Sequence, residues 1–258
     1  PNAWQEWLTL VVTPGDNDPF SWVVDEQKAQ QYMASGWSLL GEERYLDAGE
    51  VVPGMIDVIT SGRTGINARI YHQPQQHTVR PGDSFSSIGY NYGIPYPWIQ
   101  QANPGINTLN VGDLVTVPSP DDMLPLPVVP DKRVVVSLSQ QRATIYEDGQ
   151  LKWDWPASTG IGNSPTSPGI FQIHSHQQEA YAGNWDLFMP NFMGIYRPVP
   201  TSDFMNGFHG FPNRDGFNLL WTGDLGNPVT YGCILLDSEN AQALYNWAEE
   251  GVVVEIQR

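Results

Sequence analysis

The stretch "PSPDDMLPLPVVP", residues 118–130, constrains this chain more than any other. Its five prolines donate to no helix or sheet ladder, and each fixes φ at about −65°. Neither a helix bundle nor a continuous sheet can run through it, so the chain divides there. The segment predicts a stiff, extended tether. A weaker seam is "HQPQQH", residues 72–77, polar and without periodicity. The chain of 258 residues then falls into an N-terminal region 1–75, a module 76–119, a linker 120–131 and a C-terminal domain 132–258. With 40% of residues hydrophobic, these parts can fill cores, which excludes global disorder.

The C-terminal domain opens on "RVVVSLSQQRATIYEDGQLKWDW", two alternating runs around Asp148-Gly149, a strong hairpin signal. Short strands are predicted around 171–174, 188–196 and 217–221, and "VVVEIQ" (252–257) reads as a further strand. The insertion "NRDGFNLLWTGDLGN" reads as an extra hairpin. The helix predicted here is "DSENAQALYNWAEEG", capped by Asp237 or Ser238 and stopped by Gly251. Many short strands with one helix predict a β-sandwich-like domain.

The module 76–119 reads as β-α-α-β: a strand, a turn at Pro81-Gly82-Asp83, two short helical patterns and the closing strand "DLVTVP". In the first region, "WLTLVV" predicts a strand and "DEQKAQQYMASG" a capped helix ending at Gly36. Two echoes link that region to the module: "VVTPGDN" with "TVRPGDS", and "LDAGEVV" with "LNVGDLV". A diverged second copy of the module accounts for both, and so does ordinary turn chemistry.

Charge narrows the function. Twelve basic residues against 28 acidic ones give −16, with no basic stripe, which argues against nucleic-acid binding. No apolar run reaches the roughly 18 residues of a membrane span. Three lysines beside ten tryptophans, in a Gly- and Pro-rich chain, fit an extracellular protein that faces carbohydrate. The chain begins at Pro1 with no visible signal peptide, which a removed targeting segment and a trimmed chain would leave alike; export is the expectation.

The only cysteine lies in "VTYGCILLD" (229–237), and "GFHGFP" (207–212) places His209 between glycines upstream of it. An imidazole near a thiol can take its proton and leave the nucleophilic thiolate. Gly232 lets backbone approach a substrate closely, and the amides of Gly232 and Cys233 could face an oxyanion. The chemistry permitted is acyl transfer through a thioester.

Two resemblances sharpen this. Residues 76–119 resemble a LysM module, on the V-x-P-G-D-S opening, the Q-x-N-P after the second helix and the L-x-V-G-D-L-V-x-V-P close. The resemblance implies binding of N-acetylglucosamine-containing glycans between Gly82, Asp83 and Ser84 on one loop and Gly105, Ile106 and Asn107 on another. Residues 132–258 resemble an L,D-transpeptidase catalytic domain of the YkuD type, on "STG", "TSPGIFQI", "MPNFM", "HG" and "TYGCI". This implies a mainly β, multidomain protein: a YkuD-like β-sandwich behind a small βααβ LysM module and an unassigned α+β region. It further implies Cys233 as nucleophile and His209 as base, with Gly210 offering the carbonyl that orients it. Gly232 and Tyr231 complete the implied site. The implied reaction cleaves the L,D bond of a peptidoglycan tetrapeptide stem, releases D-alanine and forms a cross-link, without metal or organic cofactor. Glycan strands and stem peptides would be the partners, outside the cell and at the wall. The acceptor, whether stem amine, water or another protein, stays open.

The sequence departs from that family at Tyr231, where His is usual, and at Leu235, where Arg or Asn is usual. Leu235 and the long His-to-Cys segment support the alternative of a non-catalytic wall-binding or surface-structural protein on a degenerate YkuD fold, whereas Tyr231 bears on selectivity. Elsewhere, His174 and His176 share a strand face, which reads as a polar sheet face before it reads as a metal site. His72 and His77 read as solvated. Trp185, Tyr196 and Trp221 read equally as groove lining and as core.

Overall fold

The structure is a computed structural model that describes residues 6–13, 15, 20–36, 40, 41, 43–61, 64, 65 and 67–258. It divides into two compact units, residues 1–74 and 75–258.

The smaller unit contains strands β1 (Leu8–Val12) and β2 (Phe20–Val24), helix α1 (Glu26–Gly36), strand β3 (Arg44–Leu46), helix α2 (Ala48–Ser61) and strand β4 (Ile70–His72). β1 pairs with β2 and β3 with β4, both antiparallel. Asp25 caps α1 by accepting from the Lys28 amide at 3.1 Å. Trp7, Ala29 and Val52 form its buried centre. This element order is not β-α-α-β: "AGEVV" of the second echo opens helix α2 instead of a closing strand. Of the first echo's turn, only Gly15 is among the described residues.

The larger unit begins with the expected β-α-α-β order: β5 (Gln75–Thr78), α3 (Phe85–Tyr92), α4 (Tyr96–Ala102) and β6 (Leu114–Val117). β5 and β6 pair antiparallel. Ser84 and Ser87 form a reciprocal capping box on α3, and Gly93, at φ +74°, closes it. Asn103 ties the ends together, with its Nδ2 donating to Ile99 O and Thr116 O (2.7 Å each) and its Oδ1 accepting from Thr116 N at 2.8 Å.

The proline-rich segment, expected as a stiff, extended tether, is docked. Pro120–Met123 forms a 3-10 turn with Met123 buried. Leu126 exchanges two hydrogen bonds with buried Gln172 (3.0 and 2.9 Å), and Val129 N donates to Gly251 O at 3.3 Å. Proline removes donors but leaves carbonyls and the intervening amides, and these are the groups used.

Behind it, β7 (Lys132–Ser137), β8 (Arg142–Glu147) and β9 (Gln150–Pro156) form a meander. The turn at Asp148 and Gly149 has φ +51° and +73°, the doubly left-handed form that DG favours. Next come β10 (Gly169–Gln172), β11 (Ser175–Ala182), β12 (Leu187–Tyr196), β13 (Asn206–His209), β14 (Asn213–Arg214), β15 (Phe217–Asn218) and β16 (Ile234–Leu235). Helix α5 (Ser238–Trp247) and β17 (Val253–Gln257) follow. One sheet has the order β10-β17-β7-β8-β9; the other runs β15-β14-β12-β13-β16, with β11 on β12. The alternation of Val134, Val136, Ala143, Ile145, Val254 and Ile256 supplies one face of a core completed by Phe171, Met193, Phe208 and Leu244. The fold is mainly β, as the hydrophobic pattern requires. α5 is capped by Asp237 but ends at Trp247, before Gly251. That glycine, at φ +96°, serves instead to let Pro127 O approach, since a Cβ there would collide with it. The 217–221 run is strand only over Phe217–Asn218, in a hairpin with β14.

The module and the two large sheets share one continuous core, from Ile88 and Ile99 through Met123 to Phe171 and Tyr196. Polar contacts reinforce it. Trp98 Nε1 donates to Arg197 O at 2.8 Å, and Arg258 donates to Tyr90 O and Asn91 O at 2.6 and 2.7 Å. Gly93 lies so close to Gly169 that a Cβ on Gly169 would collide with Gly93 O.

Candidate active site

β13 lies between β12, antiparallel, and β16, parallel, with Phe208 opposite Ile234 and His209 opposite Leu235. This pairing sets the thiol loop beside the imidazole strand. The apolar run after Cys233 anchors it: Ile234, Leu235 and Leu236 are fully buried. Ser158 and Leu235 exchange backbone hydrogen bonds of 3.0 and 2.8 Å, and Leu236 N donates to His209 O at 3.0 Å. Leu235 thus secures the loop through its main chain and its burial.

Gly232 has φ +111°, and a Cβ on it would lie 2.7 Å from Asn206 Nδ2, so position 232 requires glycine twice over. Thr166 Oγ1 accepts from Gly160 N and donates to Gly232 O, both at 2.9 Å. Thr230 Oγ1 donates to Cys233 O at 2.6 Å and accepts from Gly232 N at 3.3 Å. The Gly232 amide, suggested from sequence as an oxyanion donor, is therefore partly engaged.

The Cys233 thiol is 7% exposed and points to Asn206 Oδ1 at 3.8 Å. Asn206 Nδ2 in turn donates to Tyr196 Oη at 3.0 Å. Burial pushes the thiol up to about 11, only partly offset by a hydrogen bond with the Gly207 backbone. His209 Nδ1 lies 2.7 Å from Gly210 O. A carbonyl can only accept, so Nδ1 carries the proton and Nε2 is left as the basic nitrogen. Burial drives this imidazole down to about 4 against the opposing effect of the Gly210 hydrogen bond. The thiol and the imidazole line one cavity of about 210 Å³ with Trp185, Leu187, Met189, Phe204 and Tyr231 among its walls. The thiol's hydrogen bond runs to Asn206, not to the imidazole. At neutral pH the cavity therefore holds two uncharged groups, one able to give a proton and the other to take it. Tyr231 is half exposed and stacks on Trp185, with ring centroids 5.9 Å apart and planes at 14°.

Asn206 and Thr166 are not singled out by the sequence, and Thr230 enters it only as the first residue of "TYGCI". Thr166 lies inside "TSPGIFQI", but nothing in the order of residues marks its hydroxyl as the bridge to Gly232.

In the module, Gly82 (φ +89°) and Gly105 (φ +95°) make exposed turns, and Asn107 is exposed. Ile106 is half-buried, its amide donating to Asn103 O at 3.2 Å. Ser84 is the helix cap. Asp83 is engaged internally, accepting from Arg80 N at 2.7 Å and paired with His77 Nε2 at 2.9 Å, which holds its carboxyl below the usual range. His77 is thus a partner inside the module and not a solvated residue. His174 lines a pocket with Met123 and Asp122, whereas His176 Nε2 lies 2.5 Å from Ala248 O against the Tyr245 ring. Tyr196 is fully buried on Phe171 and Trp221 is 60% exposed, which leaves Trp185 as the groove-lining aromatic of the three.

Comparison with known proteins gives the following. Residues 131–256 match the YkuD family model, described as an L,D-transpeptidase catalytic domain, and residues 77–118 match the LysM domain model. The chain is similar to a putative L,D-transpeptidase YkuD from Bacillus licheniformis, 24% identical over 184 residues, covering 70% of this chain and 97% of that protein. A protein of the same description from Bacillus subtilis is 23% identical over 183 residues, covering 70% and 98%. Among solved structures, an L,D-transpeptidase from Mycobacterium smegmatis is 15% identical with a TM-score of 0.43, covering 59% of this chain and 76% of that one.

Proposed function

We infer that this chain, which carries a LysM domain at 77–118 ahead of an L,D-transpeptidase catalytic domain at 131–256, is a peptidoglycan L,D-transpeptidase acting through Cys233 and His209. The observation that carries the residue assignment is the thiol and imidazole lining one cavity, with Nδ1 of His209 tied to Gly210 O.

Cys233 attacks the carbonyl of the L,D bond in a tetrapeptide stem as its proton passes to His209 Nε2. The thioester forms, and D-alanine leaves with a proton from the imidazolium. The amine of a second stem then attacks the thioester, and the thiol is restored. Because burial disfavours both charged forms, thiolate and imidazolium arise together with the attack and do not pre-exist in the resting site. The LysM domain, through its loops at Gly82–Ser84 and Gly105–Asn107, keeps the enzyme on its polymer and raises the local stem concentration. Such an enzyme works outside the cell, exported and bound to the wall. Among the described residues, no helix is long and apolar enough to cross a membrane.

The test is mass spectrometry after incubation with a carbapenem and, separately, with tetrapeptide stems. The expected result is an adduct on Cys233, absent in Cys233→Ala, and loss of D-alanine from the stems. Folded protein that gives neither would overturn the assignment in favour of a wall-binding role.

A further inference from the structure

We propose that the junction between the LysM helices and the loop 162–168 is a saccharide-binding groove, seating the sugar that bears the stem peptide while the stem reaches Cys233. The proposal rests on the transpeptidase reading and adds a subsite that neither domain forms alone.

A groove of about 470 Å³ runs along this junction, within the size range of sites that bury small ligands. One wall comes from the module, including Tyr90 and Tyr96; the other comes from the catalytic domain, including Ser164 and Ser167, with Asn206 at its inner end. Trp185, Phe204 and Tyr231 line both this groove and the thiol cavity. An occupant of the groove is therefore a neighbour of whatever sits at the thiol, with the Tyr231–Trp185 stack between them.

The lining identifies the occupant. No charged side chain is among the residues that form the groove. In a chain of net charge −16 that is a selective feature, since an ionic ligand would find no counter-charge here. What the groove offers is hydroxyls, side-chain amides, proline rings and tyrosines. Tyr90, Tyr96 and Tyr231 are each about half exposed, at 47%, 47% and 53%. Neutral donors and acceptors alternating with aromatic faces suit a neutral sugar, whose hydroxyls need partners and whose C–H faces need flat apolar surface.

The walls are also fixed relative to each other. The Trp98–Arg197 hydrogen bond, the Arg258 bonds to Tyr90 and Asn91, and the Gly93–Gly169 contact hold the module against the catalytic domain. The groove is thus preformed, and binding costs little ordering. None of the residues expected to hold glycan by LysM resemblance (82–84 and 105–107) lines it.

The direct test is hydrogen exchange on the Cys233→Ala protein with chitotetraose, a neutral N-acetylglucosamine oligomer without peptide. Protection is expected in both 90–97 and 162–168, and Tyr96→Ala should remove it from 162–168. Protection confined to 82–84 and 105–107, or none, overturns the proposal. In a second arm, kcat/KM is measured on a saccharide-linked tetrapeptide and on the free tetrapeptide. The ratio of the two should fall about tenfold in Tyr90→Ala/Tyr96→Ala, the scale of losing aromatic contacts. An unchanged ratio overturns the proposal. Protection without turnover of either substrate faults the transpeptidase reading and leaves the groove standing; turnover without protection does the reverse.

Discussion

At the scale of single residues, the site is defined by two groups that burial holds uncharged. With the Cys233 thiol raised to about 11, its thiolate fraction at pH 7 is small. Alkylation by iodoacetamide should be slow at neutral pH and rise about tenfold per pH unit between roughly pH 8 and 10. Mass spectrometry across that range checks this, and a rate already at its plateau near pH 7 would reveal a preformed thiolate. His209 leaves a different mark on stability. Its folded value of about 4 lies below the ordinary histidine value of 6.5, so below pH 6.5 the unfolded chain binds the extra proton first. The stabilisation is complete above pH 6.5 and is lost as pH falls towards 4, by on the order of 3 kcal/mol. Denaturant titrations should show that slope in the wild type and a flatter one in His209→Gln. Carboxylates held low by partners, such as Asp83 and Asp154, lose their share at still lower pH. Cys233 and His209 could be proposed from sequence as candidates because their chemistry goes with residue type. Asn206 could not, since an asparagine gains its meaning only when strand register brings it against Gly232.

At the scale of elements, what was legible was local. Asp148-Gly149 favours a left-handed turn by its own two residues, and the Asp237 cap declares a helix start within four residues. What was illegible depended on distant partners. Gly251 looks like a helix stop in sequence but is required by Pro127 O, and the prolines of 118–130 look like a tether until Gln172 is in place to meet Leu126. The loop carrying Cys233 belongs to the second kind, because Thr166 splints it from the far side of the chain. Thr166→Val removes one hydroxyl from two backbone partners, one buried and one partly buried, and should cost about 1–3 kcal/mol. Because the splint fixes the residue before Cys233, the proposed nucleophile, turnover should fall while Cys233 alkylation in denaturant stays normal. Thermal unfolding and stem turnover, measured together, check this, and an unaltered Tm would show that Thr166 is dispensable.

At the scale of the larger unit, the LysM and catalytic domains that sequence separates are one packed body. Their cores are continuous, and Trp98 reaches across 99 residues of sequence to Arg197. Trp98→Phe deletes that hydrogen bond and part of a ring packed against the core, and should cost about 1–3 kcal/mol. Hydrogen exchange should then show β5–β6 and β7–β8 losing protection together; loss in the module alone would mean that the two domains open independently. The order of the sheet has a last consequence, one of timing. β17 lies inside the sheet, between β10 and β7, although every other strand of that sheet precedes it in the chain. A ribosome delivers residues in order, so this sheet waits with a vacant central lane until residues 253–257 arrive. Synthesis that stops short of them leaves β10 and β7 facing an open edge, and such a fragment is matter for proteolysis or aggregation.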